Sequence, residues 1–83
     1  MLYLRGQARD YDEWARLTGD AGWSWPRVLP VFMQHEDHWR GADEKHGAGG
    51  ELRVETPRVR WDIIEAFRAA AVESGIPETD DFN

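Results

Sequence analysis

The sequence predicts an α+β chain, mainly helical, with about three helices, one short strand at Glu51–Glu55 and an extended N-terminus. Three observations predict it. Trp25, Val28, Leu29, Phe32 and Met33 recur at i, i+3, i+4, i+7 and i+8, which makes one apolar face of a helix. Ile63, Ile64, Phe67, Ala70 and Ala71 form a second broad face, followed by Gly75-Ile76-Pro77. Leu52 and Val54 alternate with charged residues, as a half-buried strand does.

Met1 to Leu4 is apolar and reads as extended, and Arg5-Gly6 ends it. A first helix is expected over Asp10–Leu17, with Asp10 or its neighbour as cap, Asp12 and Glu13 in the first turn, and Tyr11, Trp14 and Leu17 on one face. Gly19 and Gly22 bracket a turn. Ser24 is placed to cap a second helix, Trp25–Glu36, with Pro26 in its first turn and a bend at Pro30. Residues 41–50 read as loop, with four glycines and no apolar period. The strand Glu51–Glu55 stops at Pro57. The third helix, Trp61–Ser74, ends on Gly75 as a left-handed C′ residue, and Glu78 to Asn83 reads as a polar tail.

Eighty-three residues bound the chain to one domain at most. Ten basic against sixteen acidic residues give a net charge of −6, which argues against nucleic acid, where clustered Lys and Arg carry phosphate binding. No Cys is present, so disulfides, thiolate catalysis and Cys-ligated zinc are excluded. No apolar run is long enough to span a membrane, and Arg5 and Asp10 break any signal-like stretch, which leaves a cytoplasmic default.

Four constellations could carry chemistry. His35-Glu36-Asp37-His38, with His46 nearby, offers imidazoles and carboxylates of the kind that hold zinc or another divalent ion, but without an established spacing; a solvated helix end is the expectation, and no metal ligand is assigned. Gly47-Ala48-Gly49-Gly50 suggests a phosphate cradle, yet a strand rather than a helix follows it, so a turn is expected. Asp80-Asp81 could act as an acid/base pair and reads as solvated tail. The five Trp residues lack basic neighbours for base stacking and read as packing residues.

The segment MLYLRGQARDYDEW, with Tyr3, Gly6 and Asp12 at fixed intervals, resembles the tail end of the first signature of the glucose-methanol-choline (GMC) flavin oxidoreductases. The likeness continues through GWSWPRVLPVFMQHEDHW, HGAGGELRVETPR, IIEAFRAAAVESGIP and DDFN, and so covers essentially the whole chain. It implies an internal slice of a larger two-domain enzyme that uses FAD to take a hydride from an alcohol carbon, with choline- and alcohol-dehydrogenase-like members closest in wording. Residues 1–83 are then a single partial domain. The family's dinucleotide glycine motif would lie upstream and its catalytic His downstream, so no catalytic residue is assigned here. Met1 and Tyr3 would sit nearest the flavin in the full-length context, and Asp81-Phe82-Asn83 would lead toward the substrate cavity.

The expectation for the isolated chain is therefore neither bound FAD nor alcohol oxidation. The alternative is a small acidic helical interaction module that presents an apolar face to a partner helix. The faces of the second and third helices can cover each other, but Trp14, Trp23, Leu52 and the unpaired strand would remain. That surplus predicts a homodimer or swapped assembly when the remainder of the parent enzyme is absent.

Overall fold

The computed structural model describes residues 2–83. Among them are three α-helices, α1 (Ala8–Thr18), α2 (Trp25–His35) and α3 (Asp62–Glu73), a 3-10 turn at Ala21–Trp23, and two short strands, β1 (Glu36–His38) and β2 (Leu52–Val54). None of these helices is long and apolar enough to cross a membrane.

Helix α1 starts earlier than its sequence suggests. Gln7 occupies the N-cap in extended backbone, and Asp10, at N3, reaches back to accept the Gln7 N–H at 2.8 Å. Gly19 closes the helix in the left-handed region, with φ of 70°. The Asp12 carboxylate, expected to serve its own first turn, instead accepts the Trp25 N–H at 2.9 Å and puts an anion at the N-terminus of α2. Ser24 stands at the N-cap of α2 as expected, but its hydroxyl donates backwards to the Ala21 carbonyl at 2.7 Å. Pro30 lies inside α2, where it has no N–H to give the preceding turn.

The apolar face of α2 is as its spacing predicts. Trp25, Val28, Leu29, Phe32 and Met33 are all half-buried. Trp25 and Phe32 of this face pack on α1 through Tyr11, the one buried apolar residue among those described. Its ring lies 5.4 Å from Trp14, 5.5 Å from Trp25 and 5.7 Å from Phe32. Trp14 meets Trp23 edge-on at 5.8 Å. Beside this cluster runs an open groove of about 560 Å³, lined by Trp14, Trp23, Val28 and Phe32 among others.

Two expectations are corrected. The strand near 51–55 has a neighbour: β1 pairs with β2 in parallel, in the register Glu36↔Leu52, Asp37↔Arg53, His38↔Val54. Residue 36 is therefore strand and not the end of α2; its backbone is extended, and its carbonyl accepts the Gly50 N–H at 3.1 Å. The second correction concerns α3. Its apolar face and that of α2 do not cover each other: Ile63 is 77% and Phe67 74% exposed. Its C-terminus follows the expectation closely. Gly75, at φ 91°, donates to Val72 and Ile76 donates to Ala71, the paired bonds of a Schellman motif.

Candidate functional site

The deepest part of the chain is polar. Glu36 is 0%, His46 1% and His38 6% exposed, with Arg5 buried beside them. Four stretches meet there: the extended N-terminal run, β1, the 41–50 loop and the 79–83 tail. Glu36 points inward because β1 begins directly after α2. Its Oε2 accepts from Arg5 Nη2, and its two oxygens lie 2.8 and 3.1 Å from His46 Nδ1. Arg5 also donates to the Lys45 carbonyl at 2.7 Å, and its guanidinium lies 5.2 Å from the centre of the Phe32 ring, which joins the junction to the aromatic cluster.

Local chain chemistry delivers His46 to this place. The Asp43 carboxylate accepts the N–H groups of Lys45 and His46 at 2.8 and 2.7 Å, a side-chain turn that aims the imidazole inward. Glycine is then required twice. A Cβ on Gly47 would run into the Met33 carbonyl, and one on Gly50 into the backbone of His35 and Glu36. The loop lies flat on the end of α2, and His38 N–H bonds the Gly47 carbonyl at 2.9 Å.

The far nitrogen of His46, Nε2, lies 2.6 Å from Asp81 Oδ2. Arg40 bridges the same carboxylate at 3.0 Å and Asp80 at 2.9 Å. Asn83 closes the junction: its Oδ1 accepts the Arg5 N–H at 2.8 Å and its Nδ2 donates to the Tyr3 carbonyl at 3.3 Å. The tail expected to be solvated is thus docked across the sequence from the N-terminal run.

Both nitrogens of His46 face carboxylate oxygens. An ionised carboxylate only accepts, so with both carboxylates ionised this geometry calls for hydrogen on both nitrogens, the imidazolium form. Burial pushes the His46 pKa down, but the bonds to Glu36 and Asp81 and their charges outweigh it, and the net direction is up from 6.5. For Asp81, burial pushes up, while the Asn83 N–H, His46 and Arg40 bring it below the usual 3.8. Asp37 is lowered by the Gly49 N–H and by Arg53, and Asp43 by the N–H groups of Lys45 and His46. Arg5, Glu36, His46 and Asp81 then sum to zero charge, and every buried polar side-chain atom among the described residues has a partner.

Of the residues singled out in the sequence, Met1 lies outside the described residues. Tyr3 is half-buried, its hydroxyl accepting from Arg5 Nε at 3.4 Å. His35, exposed at the end of α2, has no place in the junction. Asp37 points the other way, to Gly49 N at 2.9 Å and Arg53 at 2.8 Å. Glu36, His38 and His46 do converge, with donor atoms within 4.8 Å of one another and the two imidazoles stacked at 4.0 Å. This donor set does not fit a cation: both nitrogens of His46 are taken, and the Arg5 guanidinium already sits on Glu36.

The glycine loop is a turn and not a phosphate cradle. The Gly47, Gly49 and Gly50 N–H groups are spent on Glu36 Oε2, Asp37 Oδ1 and the Glu36 carbonyl, and β2 rather than a helix follows. Sequence reasoning missed Arg5 as a buried residue. Its signal was an arginine closing an apolar run, which by itself also describes a surface stop.

A family model described as GMC oxidoreductase matches residues 1–83. The chain is 40% identical over 84 aligned positions to the oxygen-dependent choline dehydrogenases of Pectobacterium atrosepticum and of Proteus mirabilis, covering 100% of this chain and 15% of each of theirs. It is also similar to the crystal structure of pyridoxine 4-oxidase from Mesorbium loti, with a TM-score of 0.77 at 38% identity, over 86% of this chain and 14% of that one. The chain spans about one seventh of the length of these relatives. The sequence match over every residue and the shared fold establish that this chain belongs to the GMC oxidoreductase family.

Proposed function

We propose that the chain is a scaffold segment of an FAD-dependent oxidoreductase of the choline- and alcohol-dehydrogenase-like kind, following the flavin-binding signature and catalytically silent by itself. The observation that carries this reading is 40% identity to choline dehydrogenases across the full chain. Within it, residues 1–83 are one partial domain, Met1 and Tyr3 lie nearest the flavin, and no residue is assigned to hydride transfer. The charged junction supports a positioning role, because Asn83 and Arg5 hold the run that carries Tyr3. The acidic interaction module gains no support beyond the exposed α3 face, which a longer polypeptide would cover equally well. Alone, that face biases the chain toward a homodimer or swapped assembly, which sedimentation equilibrium reads directly.

The test is a segment exchange. These 83 residues replace the matching stretch of the P. atrosepticum choline dehydrogenase, and flavin content and choline oxidation are measured beside the unaltered enzyme. The expected result is a flavin-containing enzyme with activity, together with an isolated chain that elutes colourless from gel filtration. A soluble but flavin-free exchange product, or an isolated chain that retains flavin, would overturn the reading.

A further inference from the structure

We propose that His46 is a protonation-dependent latch that holds the 79–83 segment, and through it the N-terminal run, against the frame formed by β1 and its following loop. As an imidazolium it bridges Glu36 and Asp81. Once neutral it has one N–H, and one of the two carboxylates faces a lone pair.

The geometry decides which bond is kept. Glu36 is fully buried, and its oxygens also receive Arg5 and the Gly47 N–H, so they cannot turn away without stranding a guanidinium. Asp81 is about a quarter exposed and has Arg40 as a second partner. His46 therefore keeps Nδ1–H on Glu36, and the Nε2 lone pair is left against Asp81 Oδ2, two acceptors at 2.6 Å. Asp81 swings toward Arg40 and water.

The consequence reaches further than one ion pair. Asp81 Oδ1 accepts the Asn83 N–H at 2.9 Å, and Asn83 carries the bonds to Arg5 and Tyr3. Release of Asp81 thus loosens the tie between the tail and the N-terminal run. The other charged or titratable groups around the ring do not substitute for it. His38 stacks on its face, Arg5 reaches it only through Glu36, Arg40 only through Asp81, and Asp43 holds only its backbone N–H. The upward direction of the His46 pKa agrees with this arrangement.

The experiment is an NMR titration of the 83-residue chain from about pH 5 to about pH 9, a range that brackets histidine. It follows the imidazole nitrogens of His46 and the backbone amides of Asp81 and Asn83. The expected result is a His46 midpoint above about 6.5, with both amides moving at that same midpoint while the indole signals of Trp14, Trp23 and Trp25, in the aromatic cluster, stay fixed. In Asp81→Asn, a change at a partly exposed tail position, the midpoint falls and the Asn83 amide stops following it. In His46→Gln the tail amides no longer respond over this range. Tail amides that stay still while His46 titrates, a midpoint unchanged by Asp81→Asn, or no dispersed signals at any pH would each overturn the latch.

Discussion

Replacing Glu36 with Gln leaves the Arg5 guanidinium buried without its counter-charge and removes an acceptor from His46 and Gly47. Breaking one partner of a buried pair costs about 3–5 kcal/mol, comparable to the whole stability of a small domain. Urea unfolding at neutral pH is expected to show Glu36→Gln losing cooperative folding, while Glu55→Gln, on an exposed surface pair, stays within about 0.5 kcal/mol of the parent. The pH dependence has a definite sign. His46 has a raised pKa in the folded state, so its contribution is full below 6.5 and is lost as pH rises through the raised value. Asp81, Asp37 and Asp43 have lowered pKa values, so theirs are present above 3.8 and are lost as pH falls through the folded values. The urea midpoint should therefore peak in mildly acidic solution and fall on both sides; a midpoint still climbing above about pH 8 would contradict the charged His46. At this scale the sequence disclosed what is local, such as Gly75 at the end of α3. It did not disclose Arg5 with Glu36 or His46 with Asp81, because partners 31 and 35 residues apart are matched by the fold alone.

The elements formed largely where periodicity places them, and the exceptions have physical causes. The α2 face is legible because five apolar residues share a helical period. The end of α2 is less legible, since Gln34 to His38 has no strong preference for helix or strand. Pairing with Leu52–Val54 and the Gly50 bond to the Glu36 carbonyl decide for strand. β1 escaped detection because three polar residues do not alternate with apolar ones. The glycines 47 and 50, read as a flexible turn, are contact points where α2 leaves no room for a side chain. Gly47→Ala and Gly50→Ala should each destabilise at the upper end of the about 1–3 kcal/mol cost of overpacking, because the obstacle is backbone. Gly41→Ala meets open space and pays only for its positive φ, roughly 1 kcal/mol. Thermal unfolding of the three variants checks the order, and an equal loss at 41 and 47 would contradict the packed loop.

Across the whole molecule the usual arrangement is reversed: charge lies inside, and Ile63, Ile64 and Phe67 lie outside. A two-stranded parallel pair points the same way, since parallel sheets are ordinarily larger and covered on both faces, while here, among the described residues, only the 47–50 loop lies along the outer edge of β1. The sequence showed an apolar surplus, but not that α3 would stand away from α2. Amphipathic periodicity says that a face must be covered and is silent about what covers it. Phe67→Ser is expected to change the isolated chain by no more than about 0.5 kcal/mol, because the ring is already in water. In the segment exchange enzyme the same change should cost about 3–5 kcal/mol, the range for emptying a packed aromatic site. The most direct measurement is hydrogen exchange across Asp62–Glu73 in the isolated chain and in the exchange enzyme. The predicted result is α3 amides that exchange fast in the chain alone and are strongly protected in the enzyme, while those of β1 are protected in both. Equal protection of α3 in the two settings would show that this chain closes its own apolar faces, and would contradict its reading as a segment completed by a larger GMC oxidoreductase.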